Sequence, residues 1–154
     1  KHISSIAVYQ NIFGNNGHIE KPKGSVVQNY TKRNKDDILK DKKYPIFDKP
    51  QDLFKNIKPI FRVSHFLDII NSHDYKFKNG IINEDKSVYS RYRCNRKTQN
   101  IRINHYFTKS LEDWNFKTSR DRLSKQPRYT QEWFDYCSNL GHTDNELSNR
   151  FNIL

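Results

Sequence analysis

The stretch Ile101-Arg102-Ile103-Asn104-His105-Tyr106-Phe107-Thr108-Lys109-Ser110-Leu111-Glu112-Asp113 decides the fold class. Its first seven residues alternate. Ile101, Ile103, His105 and Phe107 share one face, and Arg102, Asn104 and Tyr106 share the other, which is the period of a strand. The period then changes. Ser110-Leu111-Glu112-Asp113 has the pattern of a capping box, in which a serine oxygen binds an early helix amide and an acidic side chain reaches back. Leu111, Trp114 and Lys117 continue along that helix. A strand delivered straight into a helix, in a chain with strands first and helices last, predicts an α/β or α+β unit.

Working towards the N-terminus, residues 3–12 are short, β-branched and aromatic, and predict a strand. Phe13-Gly14-Asn15-Asn16-Gly17-His18 stops it, since Asn and Gly accept positive φ in a turn. Residues 25–31 predict a second strand. Residues 57–63 predict a third, with Pro59 placing it at a sheet edge or a bulge. Between them, 32–52 carries mixed charge with Pro45 and Pro50, and predicts a long charged loop. Lys78-Asn79-Gly80 is a turn signal. Residues 83–100 are polar, with Arg91, Arg93 and Arg96 interleaved with Tyr89 and Tyr92. Towards the C-terminus, residues 125–154 predict a helical tail. One helix over 130–139 carries Trp133, Phe134 and Cys137 on a stripe. A second is opened by Thr143-Asp144-Asn145-Glu146, with Leu147, Phe151 and Leu154 on its apolar side. The order is strands first, then helices, in a single partial domain spanning 1–154.

Only 34% of the residues are hydrophobic, but 14% are aromatic. A disordered chain is poor in aromatics, so a folded unit with a ring-built core is expected. No apolar run approaches the ~20 residues of a membrane helix. Cys94 and Cys137 match no metal spacing, and a reduced cytoplasmic compartment is the simpler expectation. Lys+Arg number 28 against 17 Asp+Glu, a net charge of +11. Such a surface prefers anions: an anionic membrane surface, a phosphorylated substrate, or nucleic acid. The 89–96 stretch would serve the last of these by stacking and phosphate contact, although a solvated strand or loop is the simpler reading.

Two segments resemble a known family. Phe13-Gly14-Asn15-Asn16-Gly17-His18 with Pro22 and Gly24 is similar to the Phe-Gly-Ser-Ser-Gly-His…Pro-x-Gly segment of family 92-like and family 2-like glycosyltransferases. Residues 103–110 with Glu112 resemble their Ile-Asn-His-Tyr-x-Thr-Lys-Ser-x-Glu-Glu segment. Tyr30-Thr31-Lys32-Arg33, Ile57-Lys58-Pro59-Ile60 and Arg120-Asp121-Arg122 are similar to intervening and following stretches. The resemblance covers about residues 6–122. It implies the C-terminal portion of a GT-A fold, the acceptor-side half, with the donor half and its Asp-x-Asp carboxylates outside this chain. The absence of Met agrees with a piece of a longer chain, and the isolated piece is expected to be inactive.

The implied function is transfer of a sugar from a nucleotide-diphosphate sugar to a saccharide or lipid-linked acceptor, assisted by Mn²⁺ or Mg²⁺. His105 is the implied metal ligand, since Mn²⁺ accepts imidazole beside oxygen donors. Lys109, near a helix N-terminus, is expected to stabilise the leaving diphosphate together with the helix amides. Gly14, Asn15, Asn16, Gly17 and His18 are expected to line the sugar site, and Arg120 and Arg122 a phosphate or acceptor site. Proton removal from the acceptor needs a base. Gln28 and Asn29 stand where the family carries an acid, so Glu20 and His18 are the candidates. Three bland alternatives stand beside these: a basic nucleic-acid-binding module, a catalytically incomplete remnant, and purely structural roles for the Asn-Gly turn and the strand histidine. A location at the inner face of a membrane accompanies the lipid-linked acceptor.

Overall fold

Apolar and β-branched residues at the N-terminus form the longest strand, β1 (Ser5–Phe13), buried along almost its whole length. The computed structural model describes residues 3–34, 56–71, 73–89, 100–120 and 130–151. The chain is mixed α/β with antiparallel strand pairings. It divides into two compact units, each built from two separate stretches of sequence: Lys1–Asn11 with Asp36–Asn104, and Ile12–Lys35 with His105–Leu154.

In the first unit, β3 (Ile57–Phe61) pairs antiparallel with β1, from Ser5 opposite Phe61 to Tyr9 opposite Ile57. Pro59 lies opposite Ala7. Its missing amide is tolerated because β1 is the only strand that β3 pairs with in the described sheet, so β3 lies at the edge. The strand expected over 57–63 ends at Phe61, and Val63–His65 is a 3₁₀ turn instead. That turn leads into a hairpin that the sequence pattern did not resolve, β4 (Phe66–Asn71) paired with β5 (Asp74–Phe77). The expected turn at Lys78–Gly80 is present, with Gly80 at φ 71°. Ala7, Tyr9 and Ile57 form the core, with Ile81 and Tyr89 against them. The Tyr9 hydroxyl donates to Asn83 Oδ1 at 2.8 Å, which satisfies the one polar atom of that cluster's largest ring.

In the second unit, the end of β1 is held by β2 (Lys32–Arg33), with Phe13 opposite Arg33. Buried Asn34 clips the same place twice. Its Oδ1 accepts the Ile12 amide at 2.7 Å and its own amide donates to the Ile12 carbonyl at 3.1 Å. Two sequence expectations are corrected here. Lys32 and Arg33 belong to a strand rather than to the charged loop. Residues 25–31 are not a strand: α1 (Val26–Asn29) forms because the Ser25 hydroxyl accepts the Gln28 amide, a local cap that outweighs the β propensity of two valines. β6 (Ile103–Tyr106) pairs with β1, as the alternation of its residues implies.

The helices α2 (Leu111–Ser119) and α3 (Gln131–Ser138) supply the core of this unit. Phe107 sits 5.8 Å from Trp114 and 5.5 Å from Trp133, and Trp114 lies 5.7 Å from Phe134. Lys117 lies over the Phe107 ring, 3.9 Å from its centroid, and donates to the Phe107 carbonyl at 2.9 Å. This lysine on the helix flank is therefore a structural cation. The tail is not purely helical, because β7 (His142–Thr143) pairs with β2 before α4 (Glu146–Phe151) begins. With Thr143 in that strand, Asp144 opens α4, its Oδ1 accepting the Glu146 amide at 3.2 Å. The Asp144 Oδ2 also accepts from Arg33 Nε at 2.6 Å, both side chains being nearly buried. The bulk of residues 32–52, the Arg-rich 91–96 segment and Leu154 lie outside the described residues.

Two outcomes follow from this core. Removing either partner of the Arg33–Asp144 pair leaves a buried charge, so Arg33→Ala or Asp144→Ala is expected to cost about 3–5 kcal/mol. Urea denaturation of both single variants and the double variant gives the coupling, which is zero if the pair is incidental. Burial pushes the Cys137 thiol up to about 12. Its raised value favours the protonated form, so its contribution to stability holds below the ordinary thiol value and is lost as pH rises towards 12. In a Cys94→Ser background, iodoacetamide at pH 8 should label Cys137 roughly a thousandfold faster in denaturant than in buffer.

Candidate functional site

The two segments that carry the family resemblance come together in the second unit. The amide of Phe107 donates to the Phe13 carbonyl at 3.2 Å. The first amides of α2 then bind the loop that follows β1: Leu111 N–H to the His18 carbonyl at 3.1 Å and Glu112 N–H to the Ile19 carbonyl at 3.0 Å. Glu112 answers with its carboxylate, accepting the Lys21 amide at 2.8 Å. Asp113 N–H goes to the Ser110 hydroxyl at 3.1 Å, and that hydroxyl donates to Asp113 Oδ2 at 3.1 Å. The capping serine is as expected, but the acidic side chain meets the hydroxyl rather than the serine amide. Trp114 N–H makes the first bond within the helix, to the Ser110 carbonyl at 3.0 Å.

All four N-terminal amides of α2 are therefore engaged with the protein. The expectation that they cradle a diphosphate beside Lys109 is corrected, since a helix end offers an anion only the amides it has left. Lys109 itself is half-buried and held at φ 56°, a left-handed conformation that a lysine seldom adopts. It sits between Thr108 and Ser110, both buried, so its ammonium is the remaining cationic contribution of this turn.

The loop expected to line a sugar site has most of its polar groups committed internally. Asn16 at φ 54° and Gly17 at φ 85° are the central residues of a turn closed by His18 N–H to the Asn15 carbonyl at 3.0 Å. Both central residues at positive φ are what a type I′ turn requires. Asn15 Oδ1 accepts the Gly17 amide at 3.0 Å. Asn16 Nδ2 donates to Thr31 Oγ1 at 3.0 Å, and its Oδ1 accepts the Lys32 amide at 2.9 Å. Gly14 was expected to admit a ligand. It admits protein backbone instead: a Cβ there would collide with the Cys137 carbonyl at the end of α3.

His18 is different. Its Nε2 lies 3.0 Å from the Asn29 carbonyl, an atom that only accepts, so Nε2 carries the proton and Nδ1 the lone pair. The ring is held edge-on to Tyr30 at 5.3 Å. Tyr30 is buried, and its hydroxyl faces the Ser110 hydroxyl and amide without full hydrogen-bond geometry to either. Burial raises its phenol above the ordinary range, with Ser110 opposing the shift. Thr108 Oγ1 is likewise buried and unpartnered. Sequence periodicity gave no hint of these two oxygens, because their burial follows from tertiary packing.

The other expected site residues are dispersed. Glu20 is exposed on the loop after His18. His105 is half-buried, its ring edge-on to Phe107 at 5.6 Å. Among the described residues no group of three or more His, Cys, Asp or Glu side chains could hold a metal ion. Arg120 is exposed and stacks on Phe116 at 5.0 Å, while Arg122 lies outside the described residues. Among the described residues no helix is long and apolar enough to cross a membrane. Comparisons with protein-family models, with curated proteins and with solved structures find no match to this chain.

The contact at Gly14 is the most sensitive point of this geometry. Gly14→Ala should destabilise the protein by at least about 2 kcal/mol through overpacking against backbone. Gly17→Ala, with open space around it, should cost about 1 kcal/mol from its positive φ. Denaturation midpoints that rank the two the other way would contradict the close approach.

Proposed function

We propose that this chain is the acceptor-side portion of a sugar-nucleotide-dependent glycosyltransferase. The observation that carries the reading is the bonding between the two resembling segments. The helix that opens after Ser110 takes its first two acceptors from the loop that opens after Phe13. Segments far apart in sequence, each resembling the same family, lie in one structural unit. A basic surface of +11 suits a diphosphate donor.

Sugar transfer breaks the bond from the anomeric carbon to the diphosphate and removes a proton from the acceptor hydroxyl. Charge builds on the leaving diphosphate, and Lys109 is the cation at the strand–helix junction that would stabilise it. His18 is the better of the two candidate bases, because its Nδ1 holds a lone pair while Nε2 is anchored on Asn29. A divalent ion would draw its carboxylates from outside the described residues, with His105 supplying one nitrogen.

The test is nucleoside-diphosphate release from a panel of nucleotide sugars by the full-length protein that contains this chain. Lys109→Ala should lower the rate by roughly 10²-fold. Lys109→Gly discriminates charge from backbone: it relieves the positive φ, so a comparable loss with an unchanged melting temperature assigns the effect to the ammonium. Full activity in Lys109→Gly would remove Lys109 from the mechanism.

A further inference from the structure

The first unit carries an apolar surface that its own core does not use. All six residues of β4, Phe66-Leu67-Asp68-Ile69-Ile70-Asn71, are exposed. Leu67 is 57% exposed and Ile69 and Ile70 are each 55% exposed. Immediately before the hairpin, Ile60 is 55% and Val63 82% exposed. Phe61, itself exposed, meets exposed Phe66 at 5.6 Å and buried Phe77 at 5.1 Å, so rings anchor the base of the hairpin. A contiguous run of large exposed aliphatics is rare on a protein that meets only water.

Strand addition by a second copy of this chain would be one way to cover β4, and two features oppose it. The register of β4 on β5 slips twice, because Phe66 and Asp68 face the consecutive residues Phe77 and Lys76, and Ile69 and Asn71 face Tyr75 and Asp74. Leu67 and Ile70 are therefore the extra residues of two bulges, and a bulged strand is a poor template for edge pairing. Charge is the second feature. The first unit, Lys1–Asn11 with Asp36–Asn104, contains 16 Lys+Arg and 9 Asp+Glu, a net 16 − 9 = +7. Two such units repel each other, whereas an anionic lipid surface attracts each of them. Arg62, Lys76 and Lys78 are exposed on or beside the hairpin. It also carries two carboxylates, Asp68, which sits 4.0 Å from Lys76, and Asp74 at the start of β5.

We propose that the β4–β5 hairpin is a membrane-docking element. Leu67, Ile69, Ile70 and Val63 enter the headgroup–acyl boundary of an anionic bilayer, and the lysines and arginine of the same unit remain at the phosphate level. Bulged residues suit this occupant, because lipid fills around irregular side chains and needs no strand register. The assignment rests on exposure and charge and does not depend on the transfer reaction.

The experiment is co-sedimentation of the purified chain with vesicles of phosphatidylcholine alone or mixed with phosphatidylserine, for the wild type and for Leu67→Ser/Ile69→Ser/Ile70→Ser. The replaced side chains are exposed, so the variant should keep the wild-type melting curve. Wild type should bind the phosphatidylserine vesicles, and more weakly as salt is raised. The triple variant should lose roughly a hundredfold in partitioning. Lys76→Ser/Lys78→Ser should lose binding to the mixed vesicles only. Equal binding by wild type and the triple variant overturns the proposal. So does a wild-type dimer in sedimentation equilibrium that the triple substitution dissociates while vesicle binding stays unchanged.

Discussion

Three amides at the start of α2, those of Leu111, Glu112 and Asp113, have no helical carbonyl to bond, and the second unit is arranged around supplying them. Ser110 serves one of them through its hydroxyl. The other two reach the carbonyls of His18 and Ile19. A buried amide left without an acceptor costs on the order of 1–3 kcal/mol, so the loop after β1 must lie where it does. That requirement explains the turn at Asn16–Gly17, which reverses the chain so that successive carbonyls face the helix start. It also explains the side chains of Asn15 and Asn16, which hold the turn in that position. Gly14 completes the arrangement from the other side, where the end of α3 leaves no room for a Cβ.

This economy changes how the motif residues are read. A glycine- and asparagine-rich loop beside a helix N-terminus invites a phosphate-cradle interpretation, yet here both the loop and the helix end are occupied with each other. Under the proposed function the chemistry falls to fewer groups, the lone pair of His18 Nδ1 and the ammonium of Lys109. Lys109 holds a left-handed backbone in the middle of the junction. A non-glycine residue in that conformation is characteristic of positions that the surrounding structure over-determines.

The first unit follows a different principle. Its core is small, built on Ala7, Tyr9 and Ile57, and the hairpin beyond β3 spends its aromatics on its base and its aliphatics on the surface. Together with a net charge of +7, this gives a unit whose exposed face is apolar and whose background is cationic. Neither property alone would be informative, since single exposed aliphatics and basic surfaces are both common. Their coincidence on a bulged ribbon restricts which kind of partner can cover it.

Period and capping chemistry sufficed, from the sequence by itself, to determine the strand of β1, the strand β6 and its passage into α2, the Ser110 cap, the aromatic stripe of α3, the edge position of β3 at Pro59 and the turn at Gly80. These are local properties: alternation, a hydroxyl at a helix start, a missing amide, a positive φ. One local signal went unread: the Ser25 hydroxyl caps the Gln28 amide and starts α1 against the β propensity of two valines. Tertiary structure decided the rest. Asp144 displaced Thr143 as the start of α4 because Thr143 was drawn into pairing with β2. The β4–β5 hairpin was obscured because two bulges break its alternation. The candidate site was legible as residue types and not as roles. Whether an asparagine holds a turn or a ligand, and whether a helix amide is open or taken, depends on which distant carbonyl lies within 3 Å or so, and sequence spacing carries no record of that.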